Sequence, residues 1–132
     1  MATQLHCCVI TPEAQVFDAD ANQVIIPAHD GLLGVLPGRA PLLCQLGTGV
    51  LRVDTANEGS REFYVDGGFA QVLNNEVTIL SEHAAAGEDI SRAKATKALE
   101  EAEKMPHHDE KGVEARNRAM ASAKAQIKVA KK

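Results

Sequence analysis

The sequence predicts a small all-β domain followed by a two-helix hairpin, and three observations support this fold class. Residues 26–43 place three prolines and three glycines among large aliphatic side chains, a composition typical of tight turns between short strands. Short runs of β-branched and aromatic residues continue as far as Glu82. After Gly87 the sequence becomes rich in alanine and charged residues and contains no aromatic residue. The many closely spaced strands favour a sandwich or a barrel for the first part.

Each predicted strand is a short apolar run bounded by turn residues. β-branched and aromatic side chains suit a pleated, half-buried surface. Asn74 and Asn75 predict a tight hairpin turn because asparagine tolerates a positive φ. The predicted strand cores are residues 5–9, 24–26, 50–53, 63–65, 69–73 and 77–80.

Two helices are predicted after Gly87, because alanine and long charged residues have high helix propensity. The first runs from about Asp89 to Lys104, and Asp89 either caps it or places negative charge in its first turn. Pro106 ends this helix. Its predicted apolar face comprises Ile90, Ala95, Ala98, Leu99 and Ala102.

The second helix is predicted from about Val113 to Val129, with Gly112 just before it. Val113, Met120 and Ile127 recur every seven residues, which indicates a narrow apolar stripe completed by Ala123 and Ala130. The predicted hairpin thus has few large apolar side chains for some forty residues whose ordering costs conformational entropy. We therefore expect a hairpin that docks weakly and can exchange this contact for another partner.

Charge is divided unevenly along the chain. Residues 1–86 contain three basic and ten acidic residues, whereas residues 87–132 contain eleven basic and eight acidic residues. The split suggests two segments, 1–86 and 87–132, with different partners. The basic side of the second helix lacks interleaved aromatic residues for base stacking, so nucleic acid is not expected as a partner.

Composition also limits where the chain works and what it does. It has no apolar run of about 18 residues that would span a membrane, and its start lacks the features of a signal peptide. Three cysteines without framework spacing suit a reducing compartment. No phosphate loop, nucleophile elbow or zinc-protease motif occurs. We therefore predict no enzyme activity.

Two histidine-containing segments carry residue types that can bind metal ions. In His6-Cys7-Cys8, the two cysteines of a strand point to opposite faces and cannot easily share one ion. His107-His108-Asp109 falls in the predicted loop between the helices, where a solvated loop is the simpler interpretation. No metal site is predicted.

Residues 30–42 fill the pattern acid-Gly-x-Leu-Gly-x-x-Pro-Gly-x-Ala-Pro-Leu, from Asp30 to Leu42. This segment closely resembles the epsilon subunit of F-type ATP synthases, and the resemblance continues through Gly49-Val50-Leu51 and Gly67-Gly68-Phe69. It implies a β-sandwich of about ten strands over residues 1–86 and an antiparallel helical hairpin over residues 87–132.

The resemblance also implies a function. An epsilon subunit couples the gamma shaft to the membrane ring of c subunits and catalyses nothing. Its hairpin is expected to alternate between a folded, permissive state and an extended state that contacts the alpha and beta subunits and blocks ATP hydrolysis. The implied location is peripheral, on the cytoplasmic face of the plasma membrane. A free-standing cytosolic β-sandwich binding module with a helical oligomerisation tail is the alternative.

Two sets of residues acquire expected roles from the resemblance. The ring contact would use Asp30, Gly31, Leu32 and Arg39, although Leu32 stands where an acid is common and Arg39 where a histidine is common. The inhibitory contact would use basic residues of the second helix to meet an acidic segment of the catalytic head. These are Arg116, Arg118, Lys124 and Lys128.

No cofactor is required, but regulatory ATP is a further implication. Asp89, Arg92 and Ala93 match an Ile/Leu-Asp-x-x-Arg-Ala motif associated with ATP binding, while Glu88 replaces its aliphatic residue. The hairpin is expected to bring Arg116 or Arg118 near Arg92, where guanidinium groups pair well with phosphates.

Overall fold

The described part of the chain forms nine β-strands and two α-helices. The structure is a computed structural model and describes residues 4–57 and 59–130, with only the backbone of Glu88. The strands are β1 (Leu5–Ile10), β2 (Gln15–Ala28), β3 (Gly31–Val35), β4 (Leu42–Gln45), β5 (Thr48–Thr55), β6 (Ser60–Asp66), β7 (Phe69–Leu73), β8 (Glu76–Leu80) and β9 (His83–Ala86). A 3₁₀ turn (Gly87–Asp89) leads to α1 (Arg92–Glu103) and α2 (Glu110–Val129).

The strands form one hydrogen-bonded path, β4-β7-β8-β1-β2-β5-β6-β9, with β3 also paired to β2. The β1–β8 pairing is parallel and the other pairings are antiparallel. The long strand β2 pairs with β1 through its first half and with β3 and β5 through its second half. An irregularity in register between Ala21 and Gln23 separates the two halves, and such bulges bend a strand. The path closes around one core as a β-sandwich.

The sandwich core is built entirely from strands and their connections. Alternate residues of β1, β5, β7 and β8 point inward, as the period of two in a strand requires. The fully buried large side chains are Leu5, Val9, Val24, Ile26, Val35, Leu51, Val53, Phe63, Val65, Val72, Val77 and Ile79. No residue of α1 or α2 belongs to this cluster of buried residues. The sandwich therefore has a hydrophobic core of its own.

The predicted fold class is confirmed, and so are the six predicted strand cores. Asn74 and Asn75 have φ of 50° and 63°, which is the geometry of the predicted tight turn. The strands β3, β4 and β9 and the first half of β2 were not predicted from the sequence. Glycine lies within β3, β4 has only four residues, and β9 is largely alanine, so none carries a strong strand pattern.

The helix boundaries differ from the prediction at both starts. Ser91 caps α1 by accepting a hydrogen bond from the Lys94 backbone NH, whereas Asp89 lies in the preceding 3₁₀ turn. Asp109 caps α2 by accepting one from the Gly112 NH at 2.7 Å, so Gly112 lies inside the first turn. Serine and aspartate both accept well at this position.

The predicted apolar faces of the helices are only partly correct. Val113 is 40% exposed, whereas Ala123, Ala125 and Val129 are buried. Helix α2 contacts both α1 and the sheet at β5 and β6. Two contact surfaces bury a broader face than the single narrow seam that the seven-residue spacing predicts.

Candidate functional site

The hairpin of β2 and β3 presents an exposed leucine near the start of β3. Leu32 is 77% exposed. A shallow pocket of about 410 Å³ is lined by all four predicted ring-contact residues, Asp30, Gly31, Leu32 and Arg39. Gly31 has a φ of 140°, a backbone conformation that favours glycine. The fold therefore brings these four residues to one surface, which we call the turn end.

One hydrogen bond shows how the turn end is held. The Gly38 backbone NH donates a hydrogen bond of 2.7 Å to Asn75 Oδ1, which ties the segment before Arg39 to the β7–β8 turn. Cys44 also lines the pocket. Burial raises the pKa of its thiol, the Asp30 carboxylate raises it further, and the Arg39 cation lowers it. Both charges of the turn end thus lie near the same thiol.

A second surface is the outer face of β7, β8 and β1. Phe69 pairs with Leu80, and Leu80 pairs with Ile10, in neighbouring strands. Phe69 is 54% exposed, Leu80 is also exposed, and Ile10 is partly so. We call these three residues the apolar row. This surface was not predicted from the sequence, because the strand prediction for β7 and β8 did not specify which face of each strand packs in the core.

A histidine bridges two carboxylates on the same outer face. His6 Nε2 lies 2.5 Å from Asp18 Oδ1, and His6 Nδ1 lies 3.1 Å from Asp20 Oδ1. Since a carboxylate only accepts, both ring nitrogens must carry a proton for both bonds to form. The hydrogen bond to Asp20 and the charges of Asp18 and Asp20 raise the pKa of His6, against a smaller lowering by burial.

We therefore expect an NMR titration of the chain to place the pKa of His6 above 6.5, and Asp20→Asn to lower it. A raised pKa in the folded state stabilises the fold fully below the unfolded value of about 6.5. That contribution is lost as pH rises through the folded-state pKa. An unchanged His6 pKa in Asp20→Asn would contradict the hydrogen-bond assignment, and Asp54→Asn, on β5, is the matched control.

The interface between α2 and the sandwich consists of a small cluster and a chain of hydrogen bonds. Tyr64, Ile90, Ala125, Val129 and Ala130 form the buried cluster, separate from the sandwich core. The tyrosine is its only aromatic member among the described residues. The apolar part of this interface therefore contains few large side chains.

The hydrogen-bond chain runs from α2 into the sheet. Gln126 Nε2 donates to Ser122 Oγ at 3.2 Å, and Ser122 Oγ lies 2.5 Å from the Tyr64 hydroxyl. Tyr64 in turn donates to Asp66 Oδ2 at 3.2 Å, so Ser122 is the donor to Tyr64. Thr48 donates to the other oxygen of Asp66 at 2.6 Å. We call this chain of five side chains the latch. Burial raises the pKa of Tyr64, which keeps its hydroxyl protonated.

The five predicted nucleotide residues are not brought together in this folded hairpin. Arg92 donates to the Ala130 carbonyl at 2.9 Å, at the C-terminal end of α2. Arg116 instead donates to the Glu103 carbonyl at 3.4 Å, at the far end of α1. Eleven helical residues separate these ends, about 16 Å at 1.5 Å per residue. Asp89 and Ala93 are exposed near Arg92, and Arg118 is exposed near Arg116 along α2.

The predicted inhibitory residues also lie in two groups along α2. Lys124 and Lys128 are exposed on the C-terminal half of α2. Arg116 and Arg118 lie on its N-terminal half, nearer to the loop between the helices. All four side chains thus follow one helix over about 18 Å.

Three further observations concern sites that the sequence raised. Among residues 4–57 and 59–130, no group of His, Cys, Asp and Glu side chains is arranged to hold a metal ion. Burial raises the pKa of Cys7 to about 12, while Cys8 is only partly buried. No helix in the described part of the chain combines the length and the apolar character that crossing a membrane needs.

Comparison with known proteins places this architecture in a family. Residues 4–87 match the model for the ATP synthase, Delta/Epsilon chain, beta-sandwich domain. The chain is 38% identical over 127 residues to the ATP synthase epsilon chain of Rhodopirellula baltica, covering 96% of this chain and 98% of that one. It is 41% identical over 126 residues to the epsilon chain of Synechococcus elongatus, covering 92% and 91%.

Two solved structures have the same fold. One is a Euglena gracilis mitochondrial ATP synthase described as OSCP/F1/c-ring in rotational state 1. It matches with a TM-score of 0.84 and 25% identity, over 95% of this chain and 80% of that chain. The other is the central stalk and c-ring of the Tetrahymena thermophila enzyme, with a TM-score of 0.67 and 15% identity over 94% of each chain. At this identity the second likeness concerns the fold alone.

The β-sandwich with a helical hairpin is thus the architecture of a non-catalytic subunit of a rotary ATP synthase. The chain belongs to the delta/epsilon family of F-type ATP synthases, and it is an epsilon chain of that family.

Proposed function

We propose that this chain is the central-stalk subunit that couples the gamma shaft to the c-ring, and that its hairpin inhibits ATP hydrolysis when it is extended. The observation that carries the proposal is the separation of two cores. The sandwich has its own core, and the hairpin is joined to it by the latch and one small cluster. A weakly joined element can exchange its contacts at low free-energy cost, as a switch requires.

The family membership favours this function over a free-standing binding module. It also supports a peripheral location on the membrane that holds the c-ring, which we place at the cytoplasmic face of the plasma membrane. In this proposal the extended helices meet the alpha and beta subunits through Arg116, Arg118, Lys124 and Lys128.

The two exposed surfaces of the sandwich fit two different partners. Turn-end Leu32 lies beside one cation and one acid, Arg39 and Asp30, a mixture suited to the polar loops of the ring. The apolar row on the outer face has no charged member. A surface of this kind suits the more permanent contact with the gamma shaft.

We expect Arg39→Glu to weaken binding to the c-ring by about tenfold, because it reverses the charge at the turn end. We expect Phe69→Asp to weaken binding to the gamma subunit by at least as much, because it places a charge in the apolar row. Each variant is the control for the other. Sedimentation with c-ring vesicles and pull-down with gamma measure the two affinities.

Two outcomes would contradict this assignment of surfaces to partners. In one, Arg39→Glu weakens binding to gamma and Phe69→Asp weakens binding to the c-ring. In the other, the Arg39→Glu variant binds the c-ring normally. Loss of both contacts in either variant would indicate a damaged fold, and thermal unfolding of each variant identifies that case.

Regulatory ATP remains part of the proposal, at the end of the hairpin that holds Asp89, Arg92 and Ala93. Phosphates bound there would have to replace the Ala130 carbonyl as the partner of Arg92. Equilibrium dialysis of the chain against millimolar ATP tests this binding. No retained nucleotide would remove it from the proposal.

A further inference from the structure

A cleft of about 620 Å³ opens between α2 and the sandwich. One wall is the side of α2 that carries Ala121, Lys124 and Lys128, at the spacing of residues on one helix face. The floor includes Ile25, Pro27 and Val50. Leu32 of the turn end also lines the cleft. The volume is within the range of small-molecule sites.

Charge in the cleft is positive and is concentrated on α2. Within the described part of the chain, the lining contains three cations, Arg52, Lys124 and Lys128, and one acid, Glu62. Arg52 Nε already donates to Asp54 at 3.0 Å. Among the described residues, neither lysine forms an ion pair. The two lysines are therefore the cations available to a ligand.

The floor of the cleft is aliphatic. None of the described residues that line the cleft is aromatic, so a nucleotide base would find no ring there to stack on. An apolar floor beneath a pair of cations instead suits a molecule with an aliphatic body and an anionic end, because each part meets a complementary surface.

We propose that this cleft binds a medium-chain fatty acid, with its carboxylate between Lys124 and Lys128 and its chain along Ile25, Pro27 and Leu32. The site is distinct from the Asp89–Arg92 end of the hairpin, because Lys124 and Lys128 line this cleft and Arg92 does not.

The position of the cleft gives it a regulatory consequence, which rests on the proposed function. Both α2 and the sandwich line the cleft, so the site exists only while the hairpin is folded. A ligand that binds only one state stabilises that state. The bound acid would also cover both lysines assigned to the inhibitory contact, and so it would relieve inhibition.

Titration of the full chain with dodecanoate, below its micelle concentration, tests the site directly. Calorimetry should show saturable binding, and amide NMR shifts should include Ile25, Leu32 and Lys124. Dodecyltrimethylammonium, which has the same chain and the opposite charge, should bind at least tenfold more weakly, as should acetate. Lys124→Glu/Lys128→Glu should weaken dodecanoate binding at least tenfold, whereas the control Lys94→Glu/Lys97→Glu on α1 should not.

Several outcomes would overturn the proposal. They are the absence of saturable dodecanoate binding, equal binding of the cationic detergent, and unchanged binding by the Lys124→Glu/Lys128→Glu variant. Binding to phosphatidylglycerol vesicles without binding of free dodecanoate would assign the lysines to a membrane surface instead.

A second measurement tests the fatty-acid site independently of the proposed inhibition by the hairpin. Dodecanoate should increase hydrogen-exchange protection of α2 in the isolated chain, and unchanged protection would contradict a site that requires the folded hairpin. A third outcome is that dodecanoate binds and increases the protection of α2 while the chain has no effect on ATP hydrolysis. That result would support the fatty-acid site and reject the proposed inhibition by the hairpin.

Discussion

Replacing Gly68 by alanine is expected to destabilise the β-sandwich by roughly 3–5 kcal/mol, the largest loss among the substitutions considered. Gly68 has a φ of +106°, and a Cβ atom there would lie 1.9 Å from the Leu80 carbonyl oxygen and 2.8 Å from Ser81 Cα. Both contacts are with backbone, so two chain segments would have to move apart. Urea unfolding of the two proteins measures the difference.

Gly67 provides the matched control for this substitution. It has a φ of +73°, but nothing lies within 4 Å of a Cβ built there. Gly67→Ala should therefore cost only the backbone strain of the left-handed region, about 1–2 kcal/mol. Equal losses at the two positions would show that the close approach to Leu80 does not determine the stability of this turn.

Cutting the latch is expected to release the hairpin. Ser122→Ala removes the donor to Tyr64, and Tyr64→Phe removes the hydroxyl that joins Ser122 to Asp66. Each change should cost about 1–3 kcal/mol of docking free energy, because it leaves partly buried polar groups without partners. The docked population should fall about 5- to 150-fold relative to the released one.

Hydrogen exchange of the α2 amides measures this release. Thr96→Ala, at an exposed position in the middle of α1, is the matched control and should leave protection unchanged. The released variants should also inhibit ATP hydrolysis at lower concentrations than the unmodified chain. Faster exchange of the α2 amides without stronger inhibition of ATP hydrolysis would show that the latch holds the hairpin but does not control inhibition.

The sequence predicted the parts of the fold that have a strong local signal. Asn74 and Asn75 indicated a tight turn because few other residues adopt a positive φ, and both do so here. The strand β9 gave no such signal, because alanines form it only where β6 offers a pairing edge. Tertiary context, rather than propensity, makes that segment a strand.

The candidate site could likewise be predicted only where its residues lie close together in sequence. The turn-end residues lie close together in sequence, apart from Arg39, and the fold brings all four together. The latch joins residues 58 positions apart, so no local pattern indicates it. The separation of Arg92 from Arg116 follows from the antiparallel hairpin. Charge and a motif match do not determine which end of the hairpin each arginine occupies.

Inhibition by the hairpin is the central claim, and ATP hydrolysis by an epsilon-depleted catalytic head from the same source tests it most directly. The head is titrated with the whole chain and with residues 1–87, a fragment that retains the complete sandwich core. The account predicts that the whole chain inhibits hydrolysis and that the fragment binds without inhibiting. Equal inhibition by the two, or binding by both without any inhibition, would contradict a brake in the hairpin.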